Sequence, residues 1–243
     1  MARPRLSKQR LCSSALLLRR VAYGESDLVV TLFTEQTGKL AAVARGARRS
    51  SRRFPALEPM HQLRVDLDLV PGRELGLLGE ATLERPRLRL TASLPCMEAA
   101  GQGLRWLRQA APARTVEPRL WIEVNALLDA LDAEGSARCA QALLGAFGLR
   151  LLGAAGWGLE LGQCVRCDRS CPQRSSAFVD VRAGGVVCRR CGGGGIVLSA
   201  RQRLGMLRAL DGDEAGLVEP DDAAAAIALV DRALAVHGRD EGG

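Results

Sequence analysis

The chain has 243 residues, 47% of them apolar, which is enough to bury a sizeable core and excludes wholesale disorder. Aromatic residues make up only 3%, so any core has to be built from Leu, Val and Ala. The net charge is +7, carried almost wholly by arginine, and it is uneven: residues 1–80 hold fourteen Lys/Arg against eight Asp/Glu, whereas 211–222 is acidic, which points to a nucleic-acid or acidic-protein partner at one end.

The opening stretch MARPRLSKQRLCSSALLLRR has a basic start and an apolar patch, as a secretion signal does. Ser13-Ser14 interrupt that patch and Arg19-Arg20 close it without a small-residue cleavage site, so it reads as a basic tail leading into a strand. No apolar run approaches the ~20 residues of a membrane span. The expectation is a soluble, cytoplasmic protein.

Residues 1–85 read as β, with candidate strands at Cys12–Arg20, Leu28–Phe33, Lys39–Ala44, Met60–Leu69 and Glu74–Leu83. The fourth alternates cleanly: Leu63, Val65, Leu67 and Leu69 fall on one face, Arg64, Asp66 and Asp68 on the other. Between the second and third, Gly38 suits the positive φ of a tight turn. Five short strands with a long loop after the third suit a small closed barrel such as an OB-fold; an SH3-like barrel has a similar pattern.

That long loop is the candidate binding device. No acid occurs from Lys39 through Ala56, and Lys39, Arg45, Arg48, Arg49, Arg52 and Arg53 are interleaved with serines and Gly46. Six cations engaging a single strand would give a log–log salt slope of about −4.

From Pro86 the pattern turns helical. Ser93 N-caps a helix running to about Ala111, and Pro112 ends it. A second helix runs from Glu117-Pro118 to Ala133 with Leu120, Val124, Leu127, Leu128 and Leu131 at helical spacing. A third starts at Ser136 and carries Cys139, Leu143, Phe147 and Leu151, and Ser199–Leu210 and Asp222–His237 complete the set. The division is an N-terminal barrel domain over 1–85 and a helical domain over 86–243, with a cysteine module inserted at about 160–195, an α+β fold. Trp106, Trp121 and Trp157 fall in the helical part and read as packing residues. His61 and His237 are isolated, Asp66 and Asp68 read as solubilising charges, and neither a nucleophile–base set nor a phosphate-binding glycine loop is present, so the chain is not expected to be an enzyme.

Of eight cysteines, Cys12, Cys96 and Cys139 stand alone and read as core packing. Cys164-Val-Arg-Cys167 and Cys188-Arg-Arg-Cys191 form a pair of C-x-x-C knuckles, each of which offers two thiolates to one ion. Val186-Val187 and Phe178-Val179 around Gly184-Gly185 suit a hairpin that brings the knuckles together, and Gly192–Gly195 reads as a flexible exit. A structural zinc site is the first reading; an iron–sulfur cluster, a redox dithiol pair and a degenerate site are the others. Cys171, close behind Cys167, is a reserve ligand. Arg166, Arg169, Arg189 and Arg190 are either phosphate contacts or solvated charges.

Several separated pieces together resemble the bacterial recombinational-repair family RecO. They are Gly24-Glu25-Ser26-Asp27 before an apolar strand, Leu32-Phe33-Thr34-Glu35 with Gly38, the basic Ala44-Arg45-Gly46-Ala47-Arg48-Arg49, and Phe147-Gly148-Leu149-Arg150-Leu151-Leu152 leading through Gly156 and Leu161 into Cys164. The resemblance implies an OB-fold, a helical domain and a zinc module. It also implies binding of single- and double-stranded DNA, annealing of complementary strands, and loading of the RecA recombinase on strands coated with the single-strand binding protein SSB, with RecR as partner, at the nucleoid. With only Tyr23, Phe33 and Phe54 available for stacking in the barrel segment, the grip on DNA is expected to be mostly electrostatic. The competing expectation is a zinc-ribbon transcription or translation factor that prefers a particular sequence or a structured RNA.

Overall fold

A computed structural model describes residues 9–50, 52–54, 57–134, 136–211 and 220–238; the basic tail expected at 1–8 and the acidic residues of 212–219 lie outside these. Two compact units result, one of Met1–Leu88 with Ala111–Trp121, the other of Arg89–Ala110 with Ile122–Gly243. The segment 111–121, which the sequence pattern places in the helical domain, thus groups with the barrel.

The first unit holds β1 (Gln9–Tyr23), β2 (Asp27–Thr34), β3 (Gly38–Ala44), β4 (Gln62–Leu69) and β5 (Leu75–Arg85). They close into an OB-type barrel in the order β1-β2-β3-β5-β4. All pairs are antiparallel except β3 with β5, where Ala41 to Ala44 run beside Leu75 to Leu78. β1 is long because it serves two partners: Gln9–Leu16 pairs with β4, and Ala15–Tyr23 with β2. The register slips between Leu17 and Arg19, a bulge that bends the strand as it passes from one partner to the other.

Period-two burial fills the interior. Leu17, Val30, Leu32, Leu40, Ala42, Leu63, Val65, Leu67 and Leu78 form one apolar cluster, joined by Phe54 and Leu57 from the chain that follows the arginine loop. At the β2–β3 turn Gly38 has φ +73°, and a Cβ there would collide with the Thr115 carbonyl. The returning segment is tied on by Arg114 N–H donating to the Lys39 carbonyl at 2.7 Å. Trp121 lies against the buried Phe33, with ring centroids 6.0 Å apart.

The helices are α1 (Leu88–Thr91), α2 (Leu94–Ala110), α3 (Pro118–Glu134), α4 (Ala137–Ala154), α5 (Ala200–Asp211) and α6 (Ala223–His237). The one-turn α1 is absent from the sequence reading because Leu88-Arg-Leu alternates like a strand. Ser136 N-caps α4 by accepting the Cys139 N–H at 3.3 Å. Phe147 and Leu151 of α4 are fully buried, and α4 packs against α2, α5 and α6. Trp106 is 2% exposed and its indole N–H donates to Asp231 at 2.7 Å, which joins α2 to α6. Of the three lone cysteines, Cys96 is buried as expected, but Cys12 is exposed. It lies on the outer face of β1 opposite Asp66, where the Arg64 guanidinium donates to its sulfur at 3.2 Å.

Candidate nucleic-acid interface and metal centre

The arginine loop leaves β3 at Ala44 and is shaped by the β1–β2 turn beside it. Asp27, the first residue of β2, accepts the Gly46 N–H at 2.8 Å and the Ser26 hydroxyl at 3.0 Å. These two donors, the backbone N–H first, hold the Asp27 carboxyl below its ordinary value, with the Arg45 charge adding to the effect. The Arg48 N–H donates to the Ser26 carbonyl at 3.0 Å, and Arg49 pairs with Glu25 at 3.6 Å. Both partners of that last pair are well exposed, so it contributes little. Asp27 is therefore the residue that clamps the loop, a role invisible in a sequence reading that takes Gly24–Asp27 only as part of a family resemblance before an apolar strand.

Arg45, Arg48, Arg49, Arg52 and Arg53 are all exposed. Arg53 also works inside the loop: it donates to the Arg45 carbonyl at 2.9 Å and lies over the Phe54 ring, 5.3 Å from its centroid. Lys39 departs from the expectation. It is only 6% exposed, because the segment 113–115 lies along that end of β3, so it is not part of the surface cluster. Phe33 and Phe54 are interior as well, whereas Tyr23 is 61% exposed.

A groove of about 570 Å³ runs along β3 and β5, with Arg45 and Arg73 among its lining. Arg73 sits in the β4–β5 turn, which Arg114 supports by donating to the carbonyls of Arg73 and Glu74. In OB barrels the face of strands 2 and 3, between the β1–β2 and β4–β5 loops, is the usual place for an oligonucleotide. Both loops here lie beside arginines. Arg73 carries no local signal: it is a lone cation after Pro71-Gly72, and only barrel closure brings it near Arg45.

The cysteine module lies between α4 and α5. Its sheet is β6 (Ala177–Asp180), β7 (Gly185–Val186) and β8 (Ile196–Leu198), ordered β7-β6-β8. The hairpin of β6 and β7 is the one expected. β8 is not: the four glycines that read as a flexible exit instead bring the chain back along β6, and a Cβ on Gly194 would strike the Val179 backbone. In the first knuckle the Cys164 carbonyl accepts the Asp168 N–H at 2.9 Å, and in the second the Cys188 carbonyl accepts the Cys191 N–H at 2.9 Å.

These turns bring the sulfurs of Cys164, Cys167, Cys188 and Cys191 to within 4.8 Å of one another, with Cys167 and Cys188 at 3.8 Å. Four thiolates at ~2.3 Å from a tetrahedral ion would stand about 3.8 Å apart, so the donor set fits such an ion. Cys171 is not in the group; its N–H donates to the Gly162 carbonyl at 2.8 Å. The electrostatics of the cluster point the same way. The Cys188 N–H, then other donors including Arg166 N–H, lower the Cys164 thiol to about 6, while hydrogen bonds to Cys167 and Cys188 push Cys191 up to about 12. Four thiolates this close together call for a cation to balance their charge.

Comparison with known proteins agrees with both halves. The family model described as "Recombination protein O N terminal" matches residues 10–87, and that described as "Recombination protein O C terminal" matches residues 100–240. The "DNA repair protein RecO" of Anaeromyxobacter sp. (strain K) is 37% identical over 207 residues, 84% of this chain and 80% of that protein. The protein of the same description from Geobacter metallireducens is 31% identical over 228 residues, 93% of this chain and 91% of that protein.

Proposed function

This chain belongs to the RecO family of DNA repair proteins, and from that premise we propose that it binds single- and double-stranded DNA, anneals complementary strands and, with RecR, helps load RecA on SSB-coated single strands. The observation that carries this reading is the exposed arginine cluster on a loop clamped to the start of β2 in an OB-type barrel. Arginines that neutralise phosphates release counterions, and that release drives binding without regard to sequence. Annealing asks for the same property: two strands that repel one another are brought together when a dense cationic surface lowers the repulsion. The role is that of a mediator, not a catalyst. Cys164, Cys167, Cys188 and Cys191 would hold a zinc ion, which is structural because four thiolates leave no coordination position for water.

The test is affinity for a single strand as salt is varied. With Lys39 buried, five arginines at ~0.7 each give an expected log–log slope of about −3.5, and a slope near zero overturns the reading. Mixing complementary strands, bare or coated with SSB, tests annealing directly. Strong preference for one sequence or for a structured RNA would favour the zinc-ribbon factor instead.

A further inference from the structure

Beside the thiol cluster lies a cavity of about 260 Å³, with Cys164 and Cys188 in its wall. The rest of its lining is of two kinds. Phe178 and Val186 give apolar surface, and Arg169, Arg189 and three serine hydroxyls give cations and hydrogen-bond donors, with no carboxylate among them. Neither Arg169 nor Arg189 has a carboxylate partner among the described residues. Arg166, by contrast, donates to the Cys191 carbonyl at 2.7 Å and serves the module itself.

Two features make the cavity a prepared site. The Arg189 guanidinium lies over the Phe178 ring, 5.0 Å from its centroid, which holds the planar cation in one orientation. Arg203, 1% exposed, donates to the Leu161 carbonyl at 3.1 Å and to the Pro172 carbonyl at 2.7 Å, which pins the edge of the cavity to α5. Charge compensation for four thiolates around a dication would account for two nearby guanidiniums. It would not account for an open cavity with an aromatic wall.

We propose that this cavity takes one unpaired nucleotide of a DNA single strand. The base lies on the Arg189 guanidinium backed by Phe178, and the phosphate is held by Arg169 and the serine hydroxyls. The proposal rests on the DNA-binding reading above and deepens it. The barrel arginines grip phosphates of strand and duplex alike, whereas a cavity that takes a base face admits only a base free of its own stack.

The test compares the zinc-loaded full chain with three variants, R169A/R189A, R189K and R48A/R49A/R52A, on oligothymidylate and on a duplex of equal length at fixed salt. R169A/R189A is expected to lose about ten-fold on the single strand and nothing on the duplex, the size of one stacked base. R189K keeps the charge but not the plane, and should lose part of the same preference; unchanged zinc content shows that the module is intact. An iodouracil-containing strand irradiated with the wild-type protein should crosslink to the peptide that carries Phe178. Equal losses on strand and duplex, no loss at all, or crosslinks confined to the barrel would overturn the proposal while the DNA-binding reading stands. Loss of affinity in R48A/R49A/R52A on both forms belongs to that reading alone. A wild-type protein that binds neither form overturns both.

Discussion

The barrel and the cysteine module are both built on small sheets, yet they are held together by different forces. The barrel closes on itself, leaves no free edge, and buries Leu17, Val30, Leu32, Leu63 and Leu67 at 1% exposure or less. Its order comes from apolar burial, and the arginines of its loop stand outside that core. The module has strands of only four, two and three residues, with Val179, Val186, Val187 and Leu198 as its buried apolar side chains among a few others. On the zinc reading proposed above, its order would come in large part from the cross-link that an ion makes between two knuckles. On the proposed reading, stability and binding would be separable in the barrel and entangled in the module.

The sharpest way to break that contrast is to remove the ion. A chelator, or Cys188→Ser, is expected to release one zinc per chain and to open residues 160–198 to proteolysis while the barrel stays protected. Structural zinc in small modules contributes about 10–16 kcal/mol, so the effect should be all or none. A module that stays protected without metal would end the contrast. The converse experiment is Leu32→Ala, at a fully buried barrel position. It should cost about 2–5 kcal/mol in urea unfolding, and chelator should leave that loss unchanged.

Smaller effects test the separation of binding from stability. Replacing Arg48, Arg49 and Arg52 together with alanine should flatten the salt slope by about 2 and move stability by no more than ~0.5 kcal/mol. Arg53 is left out because it supports the loop from within. A large stability loss in this triple variant would mean that the loop arginines are structural. The finest test is Asp27. Its carboxyl is held below the ordinary value, so the clamp is complete above the usual carboxylate range and is lost as pH falls through the lowered value. Protection of the Gly46 amide, taken as its exchange rate relative to the intrinsic rate at the same pH, should be present at neutral pH, fall only in that acid window, and be absent at every pH in Asp27→Ala. A flat profile in the wild type would remove Asp27 from the account.

Much of this was legible without coordinates. The five barrel strands, the five longer helices and the hairpin between the cysteine pairs all follow from patterns contained within a few neighbouring residues. The alternation of Leu63 to Leu69 and the spacing of Leu120 to Leu131 are of this kind. The misses share a different cause. Lys39 precedes the cationic run in sequence but is covered by the segment 113–115, and no periodicity announces a segment that returns from more than seventy residues away. The glycine run at 192–195 looks flexible because glycine signals freedom and close approach in the same way, and only the position of β6 tells them apart.

The sequence by itself determined which residue types were available: an acid-free stretch of arginines, two C-x-x-C knuckles, and an apolar pattern that alternates before Leu88 and winds after it. Tertiary structure alone decided which of those residues face outward together. It set Asp27 against Gly46, brought Arg73 to the groove of Arg45, and buried Phe33 and Phe54. The reason is physical. Periodicity is written by neighbours along the chain, whereas exposure and convergence are set by whatever distant segment packs on top.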